Sequence, residues 1–195
     1  MNKLIASISV ILLLVLSGCA AVPMAPLEQD TKAKEFVPAQ DRAALYIYRN
    51  ENFGGAIPMT VSVNGKALGQ TAAKTFFRLN VLPGKYTVES HAENMSNLSL
   101  TAEAGKNYFV WQEVKMGMWM ARSLLQQVEE AVGRAGVNES KLIATSVTEN
   151  DLLPPGQAPA NDAAQKLRDL QNLRKDNVIT EEEFQKKRQE LVEKL

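Results

Sequence analysis

Cys19 is the one cysteine in 195 residues. No internal disulfide can form, so stability must come from packing alone. His91 is the one histidine. It falls on a predicted strand with Glu89 on the same face, and no serine or cysteine nucleophile motif accompanies it. No glycine-rich phosphate loop is present. Basic and acidic side chains balance at 22 each, with no basic block, which argues against nucleic acid as a partner. No apolar run is long enough for a permanent span. The thirteen residues from Leu4 to Leu16 make a helix of roughly 20 Å, against a hydrocarbon core of ~30 Å. The chain therefore reads as a non-enzymatic protein with no cofactor.

What is present begins at the N-terminus. Met1-Asn2-Lys3 carries one charge and the apolar run follows, the order of a signal peptide over residues 1–18. The run closes on Leu16-Ser17-Gly18-Cys19, small residues that fit a peptidase cleft ahead of the thiol. This tetrad resembles the bacterial lipobox. The resemblance implies recognition of Leu16, Ser17 and Gly18 by the peptidase, and a covalent lipid on Cys19 with acylation of the new amine. At ~0.8 kcal/mol per buried methylene, two or three chains hold a protein firmly to a membrane. Ala20 follows Cys19 in place of aspartate. By resemblance to the enterobacterial sorting rule, that implies the outer membrane, with the protein on the periplasmic side. Loss of the signal leaves 21 basic against 22 acidic side chains. Residues 19–40 hold three prolines and no sustained periodicity, and predict a tether spanning ~25 Å as a coil.

Residues 41–150 read as β structure, enough for one modest core. Short alternating runs occur at 44–49, 58–63, 66–70, 75–79, 85–91, 98–101, 107–112 and 123–128. Turn residues separate them. Asn64-Gly65 is the strongest hairpin signal, because both turn positions need positive φ. Leu82-Pro83-Gly84 predicts a type II turn. Residues 133–142 predict a short helix. Strands at this spacing predict an antiparallel β-sandwich. The segment resembles a family of bacterial lipoprotein domains of unassigned function, and prealbumin-like sandwiches share its turn motifs. Ala44-Leu45-Tyr46-Ile47-Tyr48-Arg49, Val63-Asn64-Gly65, Leu82-Pro83-Gly84-Lys85-Tyr86 and Ala104-Gly105-Lys106-Asn107-Tyr108-Phe109 carry the likeness. It implies a fold and supplies no catalytic residues.

Residues 151–162 contain three prolines and predict a linker. Beyond them two helices are written over 163–195. Asp162 with Gln165, and Thr180 with Glu183, are spaced as capping boxes, and Asn177 suits the turn between them. Leu167, Leu170, Leu173, Ile179, Phe184, Leu191 and Leu195 mark the apolar face. Leu167-Arg168-Asp169-Leu170 and Val178-Ile179-Thr180-Glu181-Glu182-Glu183-Phe184 resemble the SHOCT domain, a short C-terminal domain that implies oligomerisation or protein contact. Thirty-odd residues rarely bury enough apolar surface alone, so this hairpin needs either its own sandwich or a partner.

One segment points to chemistry. Met116, Met118 and Met120 alternate, and in an extended chain they would share one face around Trp119. Thioethers with His91 suit Cu(I) or Ag(I). The same residues equally suit packing, or contact with lipid or a partner. The reading is a lipid-anchored periplasmic binding or scaffolding protein. The sandwich would present loops to a protein or glycan and the hairpin would contribute assembly, with soft-metal binding as the alternative.

Overall fold

The computed structural model describes residues 22–55, 57–119, 121–154, 170–171, 173–174 and 179–192. It divides into two units, one ending at Pro154 and one beginning at Pro155.

Among the described residues nine strands form two sheets. β1 (Ala43–Arg49), β4 (Thr75–Val81), β7 (Asn107–Met116), β8 (Ala121–Val128) and β9 (Lys141–Leu142) make the first, in the order β8-β7-β1-β4-β9. β2 (Met59–Val63), β3 (Lys66–Thr71), β5 (Gly84–His91) and β6 (Met95–Ala102) make the second, in the order β3-β2-β5-β6. The predicted β-sandwich is present, and each predicted strand occurs within a few residues of its expected bounds. The second sheet is antiparallel throughout. The first is mixed, and here the antiparallel expectation needs correction. β1 runs parallel to β7, and β4 runs parallel to β9.

The turns explain the difference. Asn64 and Gly65 sit at φ of 50° and 77°, the paired positive values of a type I′ hairpin between β2 and β3. Leu82-Pro83-Gly84 is not the type II turn expected. Gly84 has φ 153° and already pairs with Ala102, so the chain arches from the first sheet to the second. The Tyr86 hydroxyl donates to Leu82 O at 2.8 Å and pins that arch. A second arch, at Gly105, carries the chain back from β6 to β7 beside β1.

β1 is buried at every position because both of its faces are covered. Leu45 and Ile47 join Val61, Phe77, Val88 and Val110 in the core between the sheets. Tyr46 and Tyr48 face the other way, into a cluster with Phe36, Phe76, Phe109 and Val137. Two helices, α1 (Leu27–Ala33) and α2 (Glu130–Asn138), contribute to this outer layer. The short helix predicted over 133–142 is therefore displaced toward the N-terminus, because residues 141 and 142 pair with β4 instead. β5 alternates as expected, with Tyr86, Val88 and Ser90 inward and His91 on the solvent side.

The space between the sheets also contains a buried polar chain. Thr71 Oγ1 lies 2.5 Å from Gln112 Oε1, and Gln112 Nε2 donates to Ser90 Oγ at 2.6 Å. Ser123 Oγ meets Ser90 Oγ at 2.6 Å. These four residues join β3 and β5 to β7 and β8, so they key one sheet to the other.

Two segments read as connectors are part of the folded unit. Residues 22–36, expected within the tether, pack on the sandwich. Met24 bridges Ile143, Asp30 Oδ1 accepts from Leu142 N–H at 2.7 Å, and the Tyr46 hydroxyl donates to Ala33 O at 2.9 Å. Phe36, at φ 56°, places its ring 5.4 Å from that of Tyr46. The prolines here shape the entry to a seven-residue helix too short to show a period. At the other end, the linker expected from residue 151 begins later. A 310 turn over Glu149–Leu152 sinks Leu152 into the core, and Asn64 Nδ2 donates to Leu153 O at 3.2 Å.

In the C-terminal unit α3 spans Glu181–Val192. Its predicted capping box is formed: Glu183 N–H donates to Thr180 Oγ1 at 3.3 Å, and Thr180 N–H donates to Glu183 Oε2 at 2.9 Å. The Arg174 guanidinium lies 4.9 Å over the Phe184 ring and pairs with Glu181 at 2.9 Å. Leu170 and Phe184 are buried, Ile179 is half-buried and Leu173 is exposed. Leu191 is helical, whereas Leu167, Leu195 and the first capping box lie outside the described residues.

Candidate functional site

Four connections meet at one end of the sandwich, and among the described residues they are 50–55 with 57–58 after β1, 72–74 between β3 and β4, 92–94 between β5 and β6, and 117–119 after β7. A small cluster of Met59, Val114 and Ala121 forms its floor.

Arg49 organises the first connection. It ends β1 fully buried, donating to Ile57 O at 2.8 Å, Gly54 O at 2.6 Å and Phe53 O at 3.2 Å. Three carbonyls accept from its two terminal nitrogens, a fork that lysine could not supply, while Nε makes no hydrogen bond. Burial lowers its pKa, and the nearby Glu51 charge offsets part of that effect. Burial also pushes Glu51 up, while the Val114 N–H that its carboxylate accepts works in the other direction. Gly54 stands where a Cβ would meet Val114 Cγ1 at 3.1 Å, so this loop lies directly on β7.

Glu93 organises the connections at 92–94 and 117–119. Its carboxylate accepts the N–H groups of Met118 at 3.1 Å and Trp119 at 3.2 Å, while its own N–H donates to Ala121 O. Asn94 extends the grip. Its Oδ1 accepts from Ser123 N–H at 2.8 Å and its Nδ2 donates to Ser123 O at 2.9 Å, as a strand neighbour would. With their backbones held this way, the side chains of Met116, Met118 and Trp119 project 79%, 81% and 87% exposed. Phe53, on the connection after β1, and Met95, the first residue of β6, stand more than half exposed. The result is an apolar tip on a fixed frame.

The predicted metal-site residues fall around this end in a different arrangement from the one expected. Met116 closes β7 and the chain bends at residues 118 and 119, so the strand that would align the methionines on one face ends before Gly117. His91 is exposed at the end of β5 and pairs with Met95. Met120 lies outside the described residues, as do Leu16, Ser17, Gly18 and Cys19. Among the described residues no group of three or more His, Cys, Asp or Glu could hold a metal ion. No described helix is long and apolar enough to cross a membrane. Sequence reasoning missed Arg49, Phe53, Glu93 and Met95. The available signal was an arginine ending an otherwise apolar strand, just before Gly54-Gly55.

The family described as "Protein of unknown function (DUF2846)" matches residues 39–123. An "Uncharacterized protein" of Haemophilus influenzae is 34% identical over 128 residues, covering 65% of this chain and 76% of that relative. The chain belongs to the DUF2846 family. The DUF2846 match begins just before β1 and ends within β8, so it includes Arg49, Glu93 and the whole Met/Trp tip.

Entry of the chain defines the opposite direction. Pro23 O accepts from Ala144 N–H, Met24 bridges Ile143, and Ala25 N–H donates to Leu142 O. Because β9 lies parallel to β4, and Thr75 of β4 is opposite Arg49, tracing back from Ala25 to Pro23 leads away from the Arg49 end. Val22 thus points toward the end of the sandwich remote from the tip.

Proposed function

We propose that this DUF2846 protein is a lipid-anchored, non-enzymatic contact protein of the cell envelope, which presents its Met/Trp tip to a protein partner. Cys19 takes the lipid, the outer membrane is the site, and the SHOCT-like hairpin at 163–195 adds self-association or a second protein contact. The observation that carries the reading is the exposure of Met118 and Trp119 on backbone held by Glu93. An exposed apolar loop loses little entropy on binding when its backbone is already ordered. Only Ala20 and Ala21 separate Cys19 from packed Val22, about 10 Å at full extension, so an anchored sandwich stays close to the headgroups. Its entry faces the lipid, and the tip faces away from it.

The test is a photocrosslinking amino acid at position 119 in cells, compared with one at exposed Gln127. A discrete protein adduct is expected from position 119 alone, and Glu93→Ala should weaken it while Cys19→Ala moves the protein out of the membrane fraction. Equal or absent adducts at both positions would remove the tip from the function. Retention of Cys19→Ala in the membrane would remove the anchor.

A further inference from the structure

The described chain nearest to Cys19 turns two apolar side chains outward. Met24 is 48% exposed and Leu27 80% exposed. Pro23 and Pro26 flank this stretch, and Pro26 stands at the N-cap of α1. The buried residue of α1 is Ala33, so Leu27, which opens the helix, adds nothing to the core. With Ala25 and Leu142 the two side chains line one groove beside β9, between the start of α1 and residues 138–142.

The charges at this groove are unevenly committed. Asp30 pairs with Lys34 at 2.7 Å, and Glu139 pairs with Lys74 at 2.8 Å. Glu28 and Lys32, exposed four positions apart on α1, offset each other. Lys141 is exposed and, among the described residues, is the lining cation without an ion pair. Apolar side chains beside such an ammonium match the two layers of a phospholipid boundary, hydrocarbon and phosphate.

The position of the groove in the fold identifies which boundary. Met24 lies five positions after Cys19, about 17 Å at full extension. β9 is the edge of the first sheet opposite β7 and β8, whose ends carry the Met/Trp tip. Three strand spacings of ~4.8 Å put it about 14 Å from β7.

We infer that Met24, Leu27 and Lys141 form a second membrane contact, which seats the β9 edge in the phospholipid surface holding the anchor. The inference rests on the lipid at Cys19 proposed above. A lipid alone fixes a point, whereas this contact fixes an orientation and sets the tip on the opposite side.

The test uses the full lipidated chain in vesicles of phosphatidylethanolamine and phosphatidylglycerol. Acylation blocks the Cys19 sulfur, so Leu27→Cys offers one thiol for a nitroxide label, with Met118→Cys and Gln127→Cys as comparisons. The ratio of oxygen to nickel-chelate collision rates at position 27 should exceed that at 118 and 127 by on the order of tenfold, as expected for a residue roughly 5–10 Å into the boundary. Lys141→Glu should lower the membrane-seated population at position 27 about fivefold, the effect of one lysine near an anionic surface. An unchanged population overturns the pairing of Lys141 with phosphate. Equal ratios at the three positions, or the highest ratio at 118, overturn the contact. Weak collision with both reagents at position 27 means that protein covers the groove, and overturns it as well. A wild-type chain whose Cys19 itself takes the label carries no lipid; the anchor then fails, and the contact with it.

Discussion

Gly136 of α2 rests so closely on the ring of Tyr48 that a Cβ there would enter the ring. Gly133, one turn earlier, meets Phe109 in the same way. The helix reaches the sheet because these two positions lack side chains. Replacing glycine by alanine inside a helix ordinarily stabilises by about 0.5–1 kcal/mol. Gly136→Ala should instead destabilise by about 1–3 kcal/mol, since the Tyr48 ring or the helix must move. Urea unfolding decides the sign, and a more stable variant would place α2 elsewhere.

Arg49→Met keeps much of the buried volume but strands the carbonyls of Phe53, Gly54 and Ile57. A loss of about 2–4 kcal/mol is expected, with amide exchange at residues 52–57 accelerating more than in β1. Uniform acceleration across the domain would mean that the arginine supports the whole core rather than this loop.

Glu51 contributes to stability with a sign opposite to that of most carboxylates. Burial raises its pKa above the ordinary 4.5, so the folded chain holds the proton more tightly than the unfolded one between 4.5 and the raised value. Its contribution therefore grows as pH falls through that interval and is lost as pH rises above it. Glu51→Gln should melt higher than wild type near pH 7, with the difference closing toward pH 4.5. Parallel melting curves across that range would show that Glu51 is no more buried folded than unfolded.

Gln112 is the hub of the chain from Thr71 to Ser123. Gln112→Leu removes its bonds to Thr71 and Ser90 and should cost about 2–3 kcal/mol despite similar volume. Equilibrium denaturation of the variant is the check; a neutral result would show that the two sheets are keyed by apolar packing alone.

Leu152 separates a folded segment from a linker. Leu152→Ala should cost about 2–4 kcal/mol, the range for a core leucine. A value within a few tenths of zero would return residues 149–154 to the linker.

Local rules carried much of the sandwich in the sequence. Alternation along Lys85 to His91 and the Asn64-Gly65 pair announce themselves because period two and positive φ are properties of neighbouring residues. What went unseen depends on distant partners. Nothing near Tyr46 reveals that β7, not a hairpin neighbour, lies beside it, or that Phe36 and Ala33 cover it. The prolines of residues 22–40 suggested a free tether, yet Met24 and Asp30 are held by residues 142 and 143. At the tip, Trp119 and the methionines were conspicuous, but the frame that exposes them belongs to Glu93, 26 positions from Trp119.

The parallel pairing of β1 with β7 sets the order in which this molecule can be assembled. β1 is the most enclosed strand, yet one of its two neighbours is roughly sixty residues further along the chain. During synthesis it can meet β4 while its other edge, an apolar ladder with unsatisfied amides, stays bare. A nascent chain that stops short of residue 116 is therefore a sticky fragment rather than a smaller domain. Whatever holds it open until then decides whether it matures or aggregates.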